Sequence, residues 1–150
     1  MESHPVAYKE LLENIRLNNL EGVVTPINAA LSTKPGVVCV ENINIEETVG
    51  AYYEKGRCAL TVPAITLGEI LGKYTDSDDV VLKMDCEGCE YDVILNDYNH
   101  VRMFKEVIFE YHTYVTNIPL QNLLKRLTRD YLCKVVERGQ DRGLVHCTKK

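Results

Sequence analysis

Hydrophobic residues near the N-terminus recur with the spacing of an amphipathic helix. Four of them stand at i, i+3, i+4 and i+7 and so share one helix face: Tyr8, Leu11, Leu12 and Ile15. Pro5 suits a first helical turn, and Asn18-Asn19 is a typical end. The pattern therefore predicts a helix that begins at Pro5 and ends at these asparagines.

The chain then alternates between short apolar and polar stretches. Apolar positions in 23–31, interrupted at Pro26, predict a strand, and residues 37–40 predict a second, shorter one. Residues 41–55 are polar and include Asn, Glu and Gly, which favours an irregular loop.

A capping signal followed by a hydrophobic stripe predicts a second helix. Thr66 and Glu69 form a capping box, and the stripe behind it consists of Leu67, Ile70, Leu71 and Tyr74. The apolar run 80–82 is typical of a central parallel strand, which is covered on both faces. A further helix is indicated by the spacing of Tyr91, Ile94, Leu95 and Tyr98.

The C-terminal part contains a second buried strand, a helix and a hairpin. Residues 107–109 are apolar, and the polar segment 110–112 follows them directly. Pro119 opens a helix with one apolar face, made of Leu120, Leu123, Leu124 and Leu127. Residues 131–137 and 144–147, separated by a polar glycine-containing turn, predict an antiparallel hairpin.

Alternation of helices and strands predicts an α/β fold. We expect a mostly parallel sheet with helices on both faces and the antiparallel hairpin at its C-terminal end. A single domain over residues 1–150 is expected, because 150 residues of which 45% are hydrophobic suffice for one core. In such sheets ligands bind outside the carboxyl ends of the strands, which directs attention to residues 85–90 and 110–112.

Charge and hydropathy argue against two classes of partner. A net charge of −5 without a long basic run is not typical of a nucleic-acid-binding protein. No stretch approaches the ~20 consecutive apolar residues of a membrane helix. The N-terminus also lacks the basic and apolar regions of a signal peptide. We therefore expect a cytoplasmic protein that contacts neither nucleic acid nor membrane.

Six cysteines are spread along the chain without the spacing of a secreted scaffold: Cys39, Cys58, Cys86, Cys89, Cys133 and Cys147. Because no signal peptide is recognised, they are expected to be reduced thiols, proteins of hyperthermophiles being an exception to this rule. Cys86 and Cys89 form a C-x-x-C, but a structural zinc site needs four ligands and no second pair exists. The prediction is small buried thiols and no metal.

Three carboxylates follow the run 80–82 within six residues: Asp85, Glu87 and Glu90. Like charges this close raise one another's proton affinity, so one of them can serve as a base. Gly88 permits a tight turn among them. Glu87 and Glu90 would equally favour the start of the following helix. Lys83 should share a strand face with Asp85, either as a structural partner or as a catalytic contact to a substrate oxygen.

Glu110 and His112 end the second buried strand. Alternation places both side chains on the same side of it. His112 is a candidate general base, because histidine titrates near neutral pH. The alternative is a satisfied polar pair at a strand end.

The segment 82–90, LKMDCEGCE, resembles the K-x-D-x-E-G-x-E signature of the FkbM family of S-adenosylmethionine-dependent methyltransferases. Glu2-Ser3-His4-Pro5 resembles the family's E-P-x-P segment at the end of its second strand. Residues 28–31 resemble its third strand, and residues 109–112 resemble the acidic end of the strand after the signature. The resemblance covers nearly the whole chain in the family's order.

This resemblance implies a Rossmann-like class I methyltransferase fold and methyl transfer from S-adenosylmethionine to a hydroxyl of a small molecule or sugar. Glu2 would take the ribose hydroxyls of the cofactor, Asn28 would lie in the cofactor site, and Asp85 would lie beside the methyl group. The proton of the acceptor would pass to a side chain at one of the two strand ends: Glu87, Glu90, Glu110 or His112.

The sequence begins where the family's second strand would be ending. The resemblance therefore also implies that the first strand, its glycine-rich turn and the first helix are absent. Their absence would expose a sheet edge, which proteins usually pair or cover, so we expect either a homo-oligomer or partner chain there or an altered core. A fragment of a longer gene product is an equal alternative. Two alternatives stay open: a non-catalytic derivative of the fold acting as a subunit or binding module, and a metal-binding protein that uses Cys86 and Cys89.

Overall fold

The computed structural model describes residues 1–40 and 60–150. Internal contacts divide the chain into two compact units, Met1–Ile65 and Thr66–Lys150. Both units contain helices and strands, which confirms the α/β class. The loop predicted over 41–55 lies outside the described residues. The single domain over residues 1–150 stays a prediction.

The first unit begins with helix α1, Pro5–Leu17, close to the predicted bounds. Proline occupies the first turn, where its missing N–H costs no hydrogen bond. Asn19 ends the helix in the left-handed conformation, with φ 53°. Of the predicted apolar face, Ile15 is buried while Leu12 is 41% exposed, so α1 buries only part of that face.

The first unit also contains a small mixed sheet. Its strands are β1, Ala30–Leu31, β2, Gly36–Val40, and β3, Leu60–Ile65, in the order β1-β3-β2. β1 pairs with β3 in parallel, and β2 pairs with β3 antiparallel. Its small core consists of Ala30 and Val62 with Val38 and Leu60 packed against them.

The strand predicted over 23–31 is wrong for most of its length. Only Ala30–Leu31 is a strand. The backbone N–H groups of Val23 and Val24 both donate to the carbonyl of Leu20, which folds this stretch into a turn after α1. Pro26 has no N–H to donate to a ladder.

The second unit contains most of the predicted elements. Its helices and strands are, in chain order, α2 (Leu67–Tyr74), β4 (Val81–Met84), α3 (Cys89–Asn96), α4 (Tyr98–Val101), β5 (Glu106–His112), α5 (Thr113–Thr116), α6 (Leu120–Leu127), β6 (Tyr131–Arg138) and β7 (Arg142–Lys149). The capping box of Thr66 and Glu69 is present at the start of α2. Hydrogen bonding to Thr66, first of all to its backbone, lowers the pKa of Glu69.

The sheet of the second unit has the order β4-β5-β7-β6. β4 and β5 are parallel, with Met84 opposite Phe109, so the residues that follow β4 lie beside the end of β5. β6 and β7 form the predicted C-terminal antiparallel hairpin, which is confirmed. Leu123, Leu127 and Tyr131 are fully buried, and the Tyr131 hydroxyl donates to the carbonyls of Val101 and Phe104.

The predicted mostly parallel sheet holds only in part. Two of the pairings in the described residues, β1 with β3 and β4 with β5, are parallel. The other three are antiparallel. Because β7 returns through a tight turn from β6 and lies next to β5, two of the three pairings in the second sheet are antiparallel.

The cysteines described by the structure contradict the prediction of reduced thiols. Cys86 is disulfide-bonded to Cys89, and Cys133 is disulfide-bonded to Cys147. Cys39 is disulfide-bonded as well. The prediction was based on the redox state of a compartment. The fold itself brings these pairs together, through the turn after β4 and through the register of β6 and β7, in which Cys133 lies opposite Cys147.

Among the described residues, no helix combines the length and the apolar character required to cross a bilayer.

Candidate functional site

The candidate site of the second unit is built on the turn between β4 and α3. β4 ends at Met84 and α3 begins at Cys89, so four residues reverse the chain. Glu87 and Gly88 are both left-handed, with φ of 52° and 112°. A Cβ on Gly88 would lie 2.9 Å from Cγ1 of Val115, so this position needs glycine for its conformation and for its space.

Glu90 binds the inside of this turn. Its Oε1 accepts a hydrogen bond from Cys86 N at 2.7 Å, and its Oε2 accepts one from Gly88 N at 2.8 Å. The side chain is fully buried, and burial raises the pKa of Glu90, although these hydrogen bonds and the charge of His112 act in the opposite direction. The structural alternative for Glu90, a residue that favours the start of α3, therefore agrees with its contacts.

His112 ends β5 and is only 2% exposed. Its Nε2 lies 3.6 Å from Glu87 Oε1 and 3.8 Å from Glu110 Oε1, and its Nδ1 lies 3.7 Å from Glu90 Oε1. The prediction that Glu110 and His112 point to the same side is confirmed. Nδ1 is buried and has no hydrogen-bond partner in the part of the chain that the structure describes. A single imidazole is thus surrounded by three carboxylates at distances too long for a hydrogen bond.

Asp85 lies at the exposed rim of the same group. One ligand atom each of Asp85, Glu87 and His112 can be chosen so that all three lie within 4.8 Å of one another. Lys83 Nζ lies 3.9 Å from Asp85 Oδ2, as their shared strand face predicts. Both side chains are largely exposed, so this ion pair contributes little to stability.

Tyr114, in the short helix α5, was not predicted as part of the site. Its hydroxyl donates a hydrogen bond to Glu87 Oε2 at 2.9 Å, and its ring meets that of His112 edge-on, with 5.9 Å between the centroids. No spacing in the sequence links Tyr114 to Glu87, because the contact depends on the parallel pairing of β4 and β5. Tyr114 orients the Glu87 carboxylate toward His112.

Of the three residues predicted to hold the cofactor, Asp85 lies in the second unit, whereas Glu2 and Asn28 lie together in the first unit. Glu2 N donates to the carbonyl of Ile27 at 3.0 Å, and the side-chain amide of Asn28 donates to the carbonyls of Glu2 at 2.9 Å and Ser3 at 3.3 Å. Glu2 Oε1 accepts a hydrogen bond from His4 N at 2.7 Å. Asn28 therefore positions the backbone of Glu2, and within residues 1–40 and 60–150 no hydrogen bond is seen to the other carboxylate oxygen of Glu2.

The proposed zinc ligands Cys86 and Cys89 are bonded to each other. A disulfide has no thiolate to offer a metal ion, so a metal-binding protein that uses these two residues disagrees with the structure.

Comparison with known proteins agrees with the resemblance found in residues 82–90. A family model for the methyltransferase FkbM domain matches residues 1–132, which include both the segment around Glu2 and the turn after β4. The search of curated proteins and the search of solved structures gave no significant match. The match covers well over half of the chain, and the chain therefore belongs to the FkbM family of methyltransferases.

Proposed function

We propose that this protein transfers a methyl group from S-adenosylmethionine to a hydroxyl oxygen of a small molecule or sugar. Membership of the methyltransferase family supports the reaction class. The observation that carries the proposal is the group of carboxylates around His112 at the ends of two parallel strands, where α/β proteins bind their ligands. A class I methyltransferase fold is part of the same proposal.

The first unit offers a fitting receptor for the ribose of the cofactor. A carboxylate accepts hydrogen bonds from a pair of neighbouring hydroxyls, as acidic residues do in dinucleotide-binding proteins. Glu2 accepts from His4 N with one oxygen, and Asn28 fixes its backbone, so we assign the ribose hydroxyls to the second oxygen. When bound, S-adenosylmethionine supplies an electrophilic methyl group on a sulfonium ion. The acidic character of the second unit's site suits a cationic donor, with Asp85 as the proposed contact.

Glu110 is the proposed general base of the second unit. Its side chain is 31% exposed, so it is open to an acceptor, whereas Glu90 is fully buried and bound to the turn. As the new carbon–oxygen bond forms, the methyl–sulfur bond of the donor would break and S-adenosylhomocysteine would leave. The acceptor hydroxyl would lose its proton to Glu110, which then releases it to water. His112 and Lys83, at 3.8 Å from Glu110 and 3.9 Å from Asp85, are the proposed electrostatic neighbours of these two carboxylates. Positioning accounts for the rest of the rate, because methyl transfer is an in-line displacement.

Methyl transfer to a panel of sugars and small hydroxy compounds, with methyl-labelled S-adenosylmethionine, tests this proposal. Glu110→Gln should lower kcat by about 100-fold or more on any accepted compound, which is the usual contribution of a general base. Glu137→Gln, an exposed carboxylate of β6, is the matched control and should leave kcat unchanged. Full activity of Glu110→Gln would contradict the assigned role. If a folded sample methylates no compound of the panel, the proposed reaction is wrong.

A further inference from the structure

Asp85, Glu87 and His112 present three metal-ligand atoms from two strand ends. Atoms of the three side chains lie within 4.8 Å of one another, and Nε2 of His112 is 3.6 Å from Oε1 of Glu87. Two ligands of one metal ion, each about 2.1 Å from it, lie roughly 3–3.4 Å apart. Small side-chain movements are therefore enough to place all three on one ion.

The buried imidazole is a second, independent sign of a ligand. His112 is 2% exposed, and its Nδ1 is buried without a hydrogen-bond partner among the described residues. Nε2 points between the carboxylates of Glu87 and Glu110, at 3.6 and 3.8 Å. A buried polar group without a partner is costly, and buried imidazoles are ordinarily hydrogen-bonded or bound to a metal.

The surroundings of His112 match those of metal-bound histidines. Such residues present one ring nitrogen to the metal and the other to a carboxylate or carbonyl that fixes the ring. Here Nδ1 faces the fully buried Glu90 carboxylate at 3.7 Å, which leaves Nε2 for an ion. Tyr114 donates to Oε2 of Glu87 at 2.9 Å and so leaves Oε1 directed at the same point.

The negative charge of the carboxylates around His112 is also largely unbalanced. Four carboxylates, those of Asp85, Glu87, Glu90 and Glu110, surround the imidazole or lie next to it. In the part of the chain that the structure describes, Lys83 is the only lysine or arginine in an ion pair with any of them, at 3.9 Å and 62% exposed. A bound cation would offset the mutual repulsion of the carboxylates.

We infer that Asp85, Glu87 and His112 bind a divalent transition-metal cation of the Mn²⁺ type. The imidazole nitrogen selects against Mg²⁺ and Ca²⁺, which prefer ligand sets made of oxygen, while the two carboxylates suit Mn²⁺. This inference replaces the expectation that the chain holds no metal. Three protein ligands leave coordination positions open for oxygen atoms of a substrate.

The consequence for catalysis rests on the proposed function. An acceptor hydroxyl bound to the cation would lose its proton more readily, as metal-bound water does. Glu110, which is not among the three ligands, stays available to take that proton. The substrate class that fits is a compound with a hydroxyl oxygen able to coordinate a divalent cation.

Mn²⁺ binding to the 150-residue chain, measured from the electron paramagnetic resonance signal of free Mn²⁺, tests the inference without a methyl donor. The protein is first treated with EDTA, desalted and kept without reductant so that the disulfides persist. We expect one Mn²⁺ per chain, displaced by Zn²⁺ but not by a tenfold excess of Mg²⁺. Failure to bind, or displacement by that excess of Mg²⁺, overturns the inference.

Substitution of the proposed ligands shows which side chains bind Mn²⁺. Asp85→Asn and Glu87→Gln should each weaken Mn²⁺ binding at least tenfold. Glu106→Gln is the matched control, because Glu106 also pairs with a histidine, His146, at 2.5 Å. Glu106 begins β5, whereas His112 of the proposed site ends it. Equal losses in Glu106→Gln, or no loss in the first two variants, would contradict the site.

Nitrogen coupling in the electron spin echo of bound Mn²⁺ tests the imidazole directly. The coupling should be present in the wild type and absent in His112→Gln. If His112→Gln does not fold, the wild-type spectrum still decides the point, because an all-oxygen site shows no such coupling. Mn²⁺ binding without methyl transfer would refute the proposed function and leave the metal site standing. Methyl transfer that persists in the presence of EDTA would refute the role of the cation in that reaction.

Discussion

Glu90 and Gly88 hold the turn after β4 in complementary ways. Glu90 binds two backbone amides of the turn with its carboxylate, and Gly88 allows the left-handed conformation close to Val115. The sequence indicated that Gly88 permits a tight turn and that three carboxylates follow the strand. It could not separate the buried anchor, Glu90, from the open side chains, because burial depends on α5 and on β5, which lie far away in the sequence.

Gly88→Ala should destabilise the protein by about 1–3 kcal/mol, because a Cβ at φ 112° is strained and would meet Val115 Cγ1 at 2.9 Å. Gly72→Ala in α2 is the matched control, since no atom of the described residues lies within 4 Å of a Cβ there. The control should be neutral or stabilising by up to about 1 kcal/mol. Denaturant unfolding measures both, and equal free energies of unfolding for the two variants would contradict the account of the turn.

Glu90 should also make stability depend on pH. Burial raises its pKa above the ordinary value of 4.5, so the native protein retains this proton to a higher pH than the unfolded chain does. The stabilising contribution is complete below pH 4.5 and is lost as the pH rises through the folded pKa. The free energy of unfolding of wild type minus that of Glu90→Gln should therefore fall as the pH rises above 4.5. If this difference in the free energy of unfolding rises with pH instead, the pKa of Glu90 is not raised in the native protein.

Helices and strands were predicted well where interactions between residues close in sequence determine them. The capping box at Thr66, the proline start of α1 and the apolar run of β4 all correspond to observed elements. The prediction failed where long-range pairing decides. β3 contains Pro63 and was not recognised, because it is formed by pairing with β1 and β2. The cross-strand disulfide likewise follows from the register of β6 and β7.

Removal of the Cys133–Cys147 disulfide by the double change Cys133→Ala and Cys147→Ala should cost about 3 kcal/mol, the usual effect of a cross-link that closes a loop of about 15 residues. The sequence separation of the two residues is 14. Denaturant unfolding of wild type under oxidising and reducing conditions, beside the variant, measures the loss. Unchanged stability in the variant would contradict a cross-link between β6 and β7, as would a free-thiol assay that finds these cysteines reduced in the native protein.

At the scale of the whole molecule, the family is known and the reaction partners are proposed. The match over residues 1–132 shows a methyltransferase domain. β4 is an edge strand of the sheet in its unit, which is consistent with the expected partner or second copy, and that partner stays a prediction. The cytoplasmic location also stays a prediction. The sequence identified the family because a short signature at a strand end suffices, whereas it could not show the contacts of Tyr114 and Glu90.

Every step of the proposed reaction depends on binding of the cofactor, and calorimetric titration of the 150-residue chain with S-adenosylhomocysteine measures that binding. We predict saturable binding of one molecule per chain, weakened about tenfold or more by Glu2→Gln and unchanged by Glu10→Gln, an exposed carboxylate on α1. A folded sample that releases no heat of binding, or equal affinity in wild type and Glu2→Gln, would contradict the account.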